Sequence, residues 1–257
     1  MNHSLQKFAS AALVASAFAL GTTPAAADTV SLLAYKLGIH STGASNAIGA
    51  ASGWLNTGGF NESSAAAQSL LNDSLDYKNS FVDTAWSQVL SVEVAMYDAR
   101  GTKVTSIVFS PGADRSSFFS LGNVTSTSYT DSLNGNFFNI DGSGNYNRNW
   151  FINTNYGGCG NDTGHWAVLD QASACGWETS RNSAEGRAFL YSTGLSAVNW
   201  NDANGGVGSA NVFAVFVTVD QPANGIPEPA SLALVGLSLA GLGFVRRRAG
   251  HRERTTD

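Results

Sequence analysis

"VFAVFVTV", residues 212–219, is eight residues without a charge, built almost entirely from β-branched and aromatic side chains. In a strand successive side chains point to opposite faces, so Val212, Ala214, Phe216 and Thr218 oppose Phe213, Val215, Val217 and Val219. Apolar residues on both sides make this a strand covered on at least one face. "VLSVEVAMY", residues 89–97, repeats the alternation, with Val92, Val94 and Met96 on one face and Ser91, Glu93 and Ala95 on the other. Val104 to Phe109 follows across "DARGTK", a connection suited to a hairpin. Working outward, further strands are expected at Ser117 to Val124, Asn136 to Ile140, Trp150 to Asn153, His165 to Asp170 and Ala188 to Ser192. Short runs of this kind predict a mainly β fold, a sandwich or jelly-roll-like domain with Gly/Asn-rich loops. A helical insertion is expected at Glu62 to Leu75, where Ala65 to Ala67, Leu70, Leu71 and Leu75 fall among helix-tolerant residues. The Gly-, Ser- and Ala-rich run from Asp28 to Phe60 reads as a long loop, a peripheral extension or weak edge structure, with no assigned role.

Both ends of the 257-residue chain differ from this body. Lys7, the apolar run Phe8 to Leu20 and the small residues ending at Ala27 form a secretory signal peptide over residues 1–27, so a mature chain begins near Asp28. Residues 28–219 are expected to form a single extracytoplasmic domain, followed by a linker over residues 220–226. Between Asp28 and Ile226 there are 16 acidic against 8 basic residues, a net charge near −8 with the positives scattered. Such a balance argues against nucleic acid as a partner, because phosphate binding draws on clustered Lys and Arg.

The C-terminal segment, residues 227–257, opens on Pro227-Glu228-Pro229. Ala230 to Val245 is then uncharged and as a helix would extend roughly 24 Å, just short of a hydrocarbon core of roughly 30 Å. Arg246, Arg247 and Arg248 close the segment, able to reach the headgroups and to stay cytoplasmic by the positive-inside tendency. The tripeptide, the apolar transmembrane helix over residues 230–245 and the basic stop, in that order, resemble the PEP-CTERM sorting signal. The resemblance covers about 25 residues and does not extend to the body. It implies an exosortase-type membrane protease as processing partner and a precursor that spans the inner membrane with its body in the periplasm. It further implies a mature form at the surface or in the extracellular polysaccharide matrix of a Gram-negative bacterium.

Within the body, Cys159 and Cys175 are the two cysteines of the chain, and export to an oxidising compartment predicts a disulfide between them. Tyr156, Trp166 and Trp177 lie around that loop, with Asn161 and Asp162 beside them. Aromatic faces cover the apolar faces of sugars while amides and carboxylates bond their hydroxyls, which makes these five residues candidate glycan contacts. The competing reading places Trp166 in the core, ahead of the apolar run Ala167 to Leu169. Asp141 and Asn145 in "DGSGNYN", and Asp202 in "NDANGG", offer oxygen donors to calcium, but neither loop completes the twelve-residue calcium pattern, and a hydrogen-bonded turn is the simpler reading of each. No other cofactor is indicated. Chemistry is weakly signalled. His165 lies near Asp162 and Asp170 in sequence without a nucleophile elbow, and Glu93, Asp98, Asp170 and Glu178 are carboxylates available to a glycosidase without any sign that two of them face each other. The sequence therefore favours a non-catalytic exported protein that binds or organises exopolysaccharide, over a polysaccharide hydrolase or a structural surface protein without a ligand.

Overall fold

The computed structural model describes residues 29–131, 133, 137–142, 148–155, 158–171 and 175–220. All of these fall in one compact unit, Asp28–Asn224. The signal peptide, the linker after Asp220, the sorting segment with its arginines, Tyr156 and Asn145 lie outside the described residues. Among the described residues no helix is long and apolar enough to cross a membrane.

The strands in chain order are β1 (Thr29–Gly38), β2 (Tyr77–Lys78), β3 (Val89–Tyr97), β4 (Lys103–Phe109), β5 (Val124–Thr127), β6 (Phe137–Asn139), β7 (Arg148–Asn155), β8 (Thr163–Leu169), β9 (Ala188–Ser192), β10 (Val198–Asn199), β11 (Val207–Ala210) and β12 (Val212–Asp220). They form two antiparallel sheets. The first runs β2-β1-β12-β3-β4-β5, the second β11-β9-β8-β7-β6 with β10 paired to β8. The chain thus lays down five strands of the first sheet, builds β6 to β9 of the second as a meander with β10 added beside β8 and β11 beside β9, and returns with β12 to the middle of the first. The helices are single turns: α1 (Ser52–Leu55), α2 (Ala65–Gln68), α3 (Phe81–Thr84) and α4 (Gly176–Thr179).

One hydrophobic core draws on both sheets, the arrangement of a β-sandwich. Phe213, Val215, Val217 and Val219 from β12 and Val92, Val94 and Met96 from β3 meet Trp150, Ile152, Trp166, Val168 and Phe189 from the second sheet. The alternation seen in the sequence thus sorts side chains as expected: Val212, Ala214 and Phe216 pack on the outer face instead, with Ala95, Tyr97 and Leu70. A third cluster lies on the outer face of the second sheet, where Phe151, Ala167, Leu169 and Leu190 are covered by Trp177 and Trp200.

Three expectations are corrected. Ser117 to Val124 is not a strand; Phe118 and Phe119 are both buried in the same core, which consecutive residues of a flat strand cannot achieve, and β5 starts only at Val124. The Glu62 to Leu75 helix shrinks to α2. Ser64 caps it by accepting from the Ala67 N–H, and the chain then turns so that the buried Lys36 Nζ donates to the Ser69 and Asn72 carbonyls at 3.0 and 2.5 Å. The stretch from Asp28 is neither loop nor edge at its start, because β1 pairs with β12 along its length and sits between β12 and β2. A bulge between Leu33 and Tyr35 shifts its phase, which hides the alternation in the sequence.

Lys36 yields a stability prediction. Burial pulls its pKa down to about 8, against the opposing pull of Asp76 and Asp73. Between about pH 8 and the ordinary lysine range the unfolded chain carries a proton that the folded chain has shed, so this residue's contribution to stability rises with pH. The unfolding midpoint of the native protein should therefore gain on that of Lys36→Met between pH 7 and 9.5; a constant gap would refute this.

Candidate functional site

The disulfide region does not present the surface its sequence suggested. Cys159 and Cys175 are joined, with their Cα atoms 5.2 Å apart, clipping the β7–β8 hairpin tip to the segment before α4. A crosslink of this span contributes roughly 3 kcal/mol by loop closure. Trp166 is fully buried in the main core, where its indole N–H donates to the Tyr129 hydroxyl at 2.9 Å. Trp177 is 2% exposed and stacked on Trp200 at 5.7 Å between ring centroids. Neither ring is open to a sugar. Asp162 is also buried, 3.0 Å from Nη1 of Arg148, whose Nε lies 2.6 Å from Glu178 Oε1 and whose guanidinium lies over the Trp177 ring. Burial raises the Asp162 carboxyl above its usual range, with Arg148 pulling the other way. Of the five glycan candidates, Asn161 is the one that the described residues leave exposed. The region is an outer mini-core with an ion triad inside it.

A cavity lies elsewhere, in the stretch to which the sequence assigned no role. It has a volume of about 200 Å³ and is lined by Ile48 and Gly49, by Ser52 and Gly53 of α1, by the run Asn56 to Phe60 and by Lys78. Two buried ionic clusters fix its walls. In the first, Arg187 Nη1 donates to both oxygens of Asp76 at 3.0 and 2.9 Å and to the Gly38 carbonyl at 3.0 Å, while Nη2 donates to the Ile48 carbonyl at 2.5 Å. Asp76 in turn accepts from the Gly38 and Ile48 N–H groups, and Asp170 accepts from Ala50 N–H, each at 2.8 Å. Burial raises the Asp170 carboxyl. Tyr35 and Trp150 complete the clamp by donating to the Ala50 carbonyl at 3.0 and 2.8 Å. Trp150 holds φ at +47° inside a β7 bulge, a conformation costly for a bulky residue, and the bulge turns its ring inward.

The opposite wall hangs on the second cluster. Lys78 Nζ donates to the carbonyls of Trp54 and Asn56 and to Asp83 Oδ1, and Arg115 donates to the carbonyls of Trp54 and Leu55. Asp83 accepts from the Gly58 N–H at 2.7 Å. Burial lowers the Lys78 ammonium, with Asp83 opposing. Buried ion pairs add little net stability for their desolvation cost, but they specify geometry, and here both clusters specify the backbone of one surface loop. Ser52, Asn56 and Thr57 stand at the rim, exposed, and their side chains make no hydrogen bond among the described residues; Phe60 is half-buried beside them.

The remaining candidates are otherwise engaged. Glu93 pairs with Lys103 at 2.6 Å, Asp98 closes the β3–β4 turn by accepting from Arg100 and Thr102, and Asp170 and Glu178 belong to the two clusters around Arg187 and Arg148. His165 Nε2 lies 2.8 Å from Asp131, not beside Asp162 or Asp170, and the same carboxylate accepts from Ala197 N–H, fastening two loops. Asp202 accepts from the Asn204 N–H at 2.7 Å as a turn residue, and Asp141 is exposed. Among the described residues no group of three His, Cys, Asp or Glu side chains is placed to hold a metal ion.

Fold and ends together define a mainly β, disulfide-clipped body bearing a C-terminal signal. A family model described as the PEP-CTERM protein-sorting motif matches residues 225–248, so the chain carries that motif. The motif implies an exported protein, anchored in the membrane before cleavage by exosortase, a membrane protease. No curated protein and no solved structure matches the chain.

Proposed function

We propose that the body is a non-catalytic surface or extracellular-matrix component that binds or organises exopolysaccharide. The sorting motif at residues 225–248 supports this reading, because it implies an exported protein released by exosortase, and the resemblance of that segment implies a polysaccharide-rich destination for the body. The precursor spans the inner membrane through residues 230–245 with the body in the periplasm, loses residues 1–27, and is released near Pro227-Glu228-Pro229. A single crosslinked domain over residues 28–219 suits a protein that must persist outside the cell. Engagement of Glu93, Asp98, Asp170 and Glu178 by separate partners favours binding over glycoside hydrolysis, which needs two carboxyls facing each other across a sugar at roughly 5–9.5 Å.

The test has two arms. Protein recovered from the envelope and the medium should have lost both ends by intact mass, and deletion of residues 225–248 should abolish that processing. The exported protein should then co-sediment with the producer's own polysaccharide, with or without calcium, and leave its mass distribution unchanged. Cleavage of the polymer would favour the hydrolase, and absence of binding a purely structural protein.

A further inference from the structure

We infer that the cavity between Ile48 and Phe60 is a subsite for one neutral sugar ring, with Ser52, Asn56 and Thr57 bonding its hydroxyls and Phe60 covering its apolar face; this rests on the polysaccharide reading above. Size comes first. A void of about 150 Å³ admits a benzene ring, whereas drug-sized ligands occupy roughly 300–1,000 Å³, so a cavity of about 200 Å³ suits a single six-membered ring.

Chemistry narrows the class. The rim offers two hydroxyls and one amide, each able to donate and accept, and none is committed within the described residues. Such groups match a polyol. Among the described residues the cation lining the cavity is Lys78, whose three N–H groups have three partners, the carbonyls of Trp54 and Asn56 and the Asp83 carboxylate, so it has none left for an anion. A body with twice as many acidic as basic residues further disfavours an acidic sugar. Half-buried Phe60 supplies an apolar surface of the kind the C–H face of a pyranose needs.

Preorganisation supports a binding role over an incidental dent. One wall is held through Ile48 and Ala50 by Asp76, Arg187, Asp170, Tyr35 and Trp150; the other is held through Trp54, Asn56 and Gly58 by Lys78, Arg115 and Asp83. A loop fixed in this way loses little freedom when a ligand arrives, which is how a small site gains affinity.

The experiment titrates the exported protein with methyl glycosides of glucose, galactose, mannose and N-acetylglucosamine, and with methyl glucuronide, read by ligand-observed nuclear magnetic resonance. At least one neutral glycoside should bind, the glucuronide at least about tenfold more weakly. Asn56→Ala combined with Thr57→Ala should weaken the neutral ligand at least about tenfold, the loss expected for two hydrogen bonds. Thr57→Trp, which plugs the mouth, should do the same, while Asn161→Ala on the disulfide hairpin should change nothing. All three positions are exposed, and unchanged unfolding midpoints would verify that the fold is kept. Binding that survives both cavity variants, equal binding of the glucuronide, or no binding of any neutral glycoside would each overturn the subsite. Co-sedimentation of the same variants with the producer's polysaccharide separates the two ideas: retained polymer binding in the cavity variants overturns the subsite and leaves the broader reading in place, while failure of the unaltered protein to bind polymer removes both.

Discussion

Arg148→Ala is expected to lower the unfolding free energy by about 3–5 kcal/mol, a fall in midpoint of roughly 6–20 °C for a domain of this size. The cause is what remains after truncation. Asp162 and Glu178 are both buried, and each has Arg148 as its ion-pair partner at 3.0 and 2.6 Å. Removing the guanidinium leaves two carboxylates side by side in a mini-core roofed by Trp177 and Trp200, and also removes the cation over the Trp177 ring. Glu178 adds a structural tie, since its Oε2 accepts from the Cys175 N–H at 3.1 Å at the start of α4. Replacing Arg148, Asp162 and Glu178 together by apolar residues of similar volume should recover most of the loss, because no charge is then stranded. Chemical denaturation of the single and triple variants checks this. A single-variant loss below about 1 kcal/mol would show that water reaches the triad.

What was legible in the sequence follows from periodicity. β3 and β9 have the bounds read from the sequence, and β12 differs by one residue, because the register shifts in β3 and β12 fall at their ends and β9 has none, so a period of two runs through most of each strand. β1 and β7 were harder. Each contains a bulge, at Leu33/Tyr35 and around Trp150, and one extra residue inverts the face of everything beyond it. The disulfide was readable from cysteine count and export, and the sorting motif from its ordered parts. Burial of Trp166 was the competing reading drawn from the apolar run Ala167 to Leu169 and is what the structure shows, whereas burial of Trp177 was not legible, since a tryptophan beside Gly176 reads equally as surface. The cavity was invisible for another reason: its lining is Gly, Ser, Asn and Thr, while the side chains that fix it, Asp76, Lys78, Asp83, Arg115, Asp170 and Arg187, are scattered over more than a hundred residues. An isolated charge in an apolar run was the available signal for Lys36, which interrupts β1 and proves buried; Lys78, at the end of the two-residue β2, is buried without such a signal.

Arg187→Ala is expected to cost a similar 3–5 kcal/mol, and Arg187→Lys more than half of that. A lysine presents three donors at one point, whereas the guanidinium spans Asp76, the carbonyls of Gly38 and Ile48, and the side of Asp170 at 3.7 Å. No ammonium can reach all of these at once. The loss should be local before it is global. Native-state hydrogen exchange should show the amides of Gly38, Ile48 and Ala50, which donate to Asp76 and Asp170, losing protection while the β3–β12 ladder amides keep theirs relative to the new global stability. The effect should also depend on pH. Burial raises the Asp170 carboxyl in the folded protein while Arg187 draws it down, so removing the arginine lets it rise further. A carboxyl whose folded pKa is raised binds its proton more readily in the folded than in the unfolded chain, and therefore favours folding increasingly as pH falls through that value. The gap between Arg187→Ala and the native protein should thus narrow on going from pH 7 toward pH 5. A gap that widens on acidification would mean that Asp170 is solvated in the variant and no longer holds the Ala50 N–H of the cavity wall.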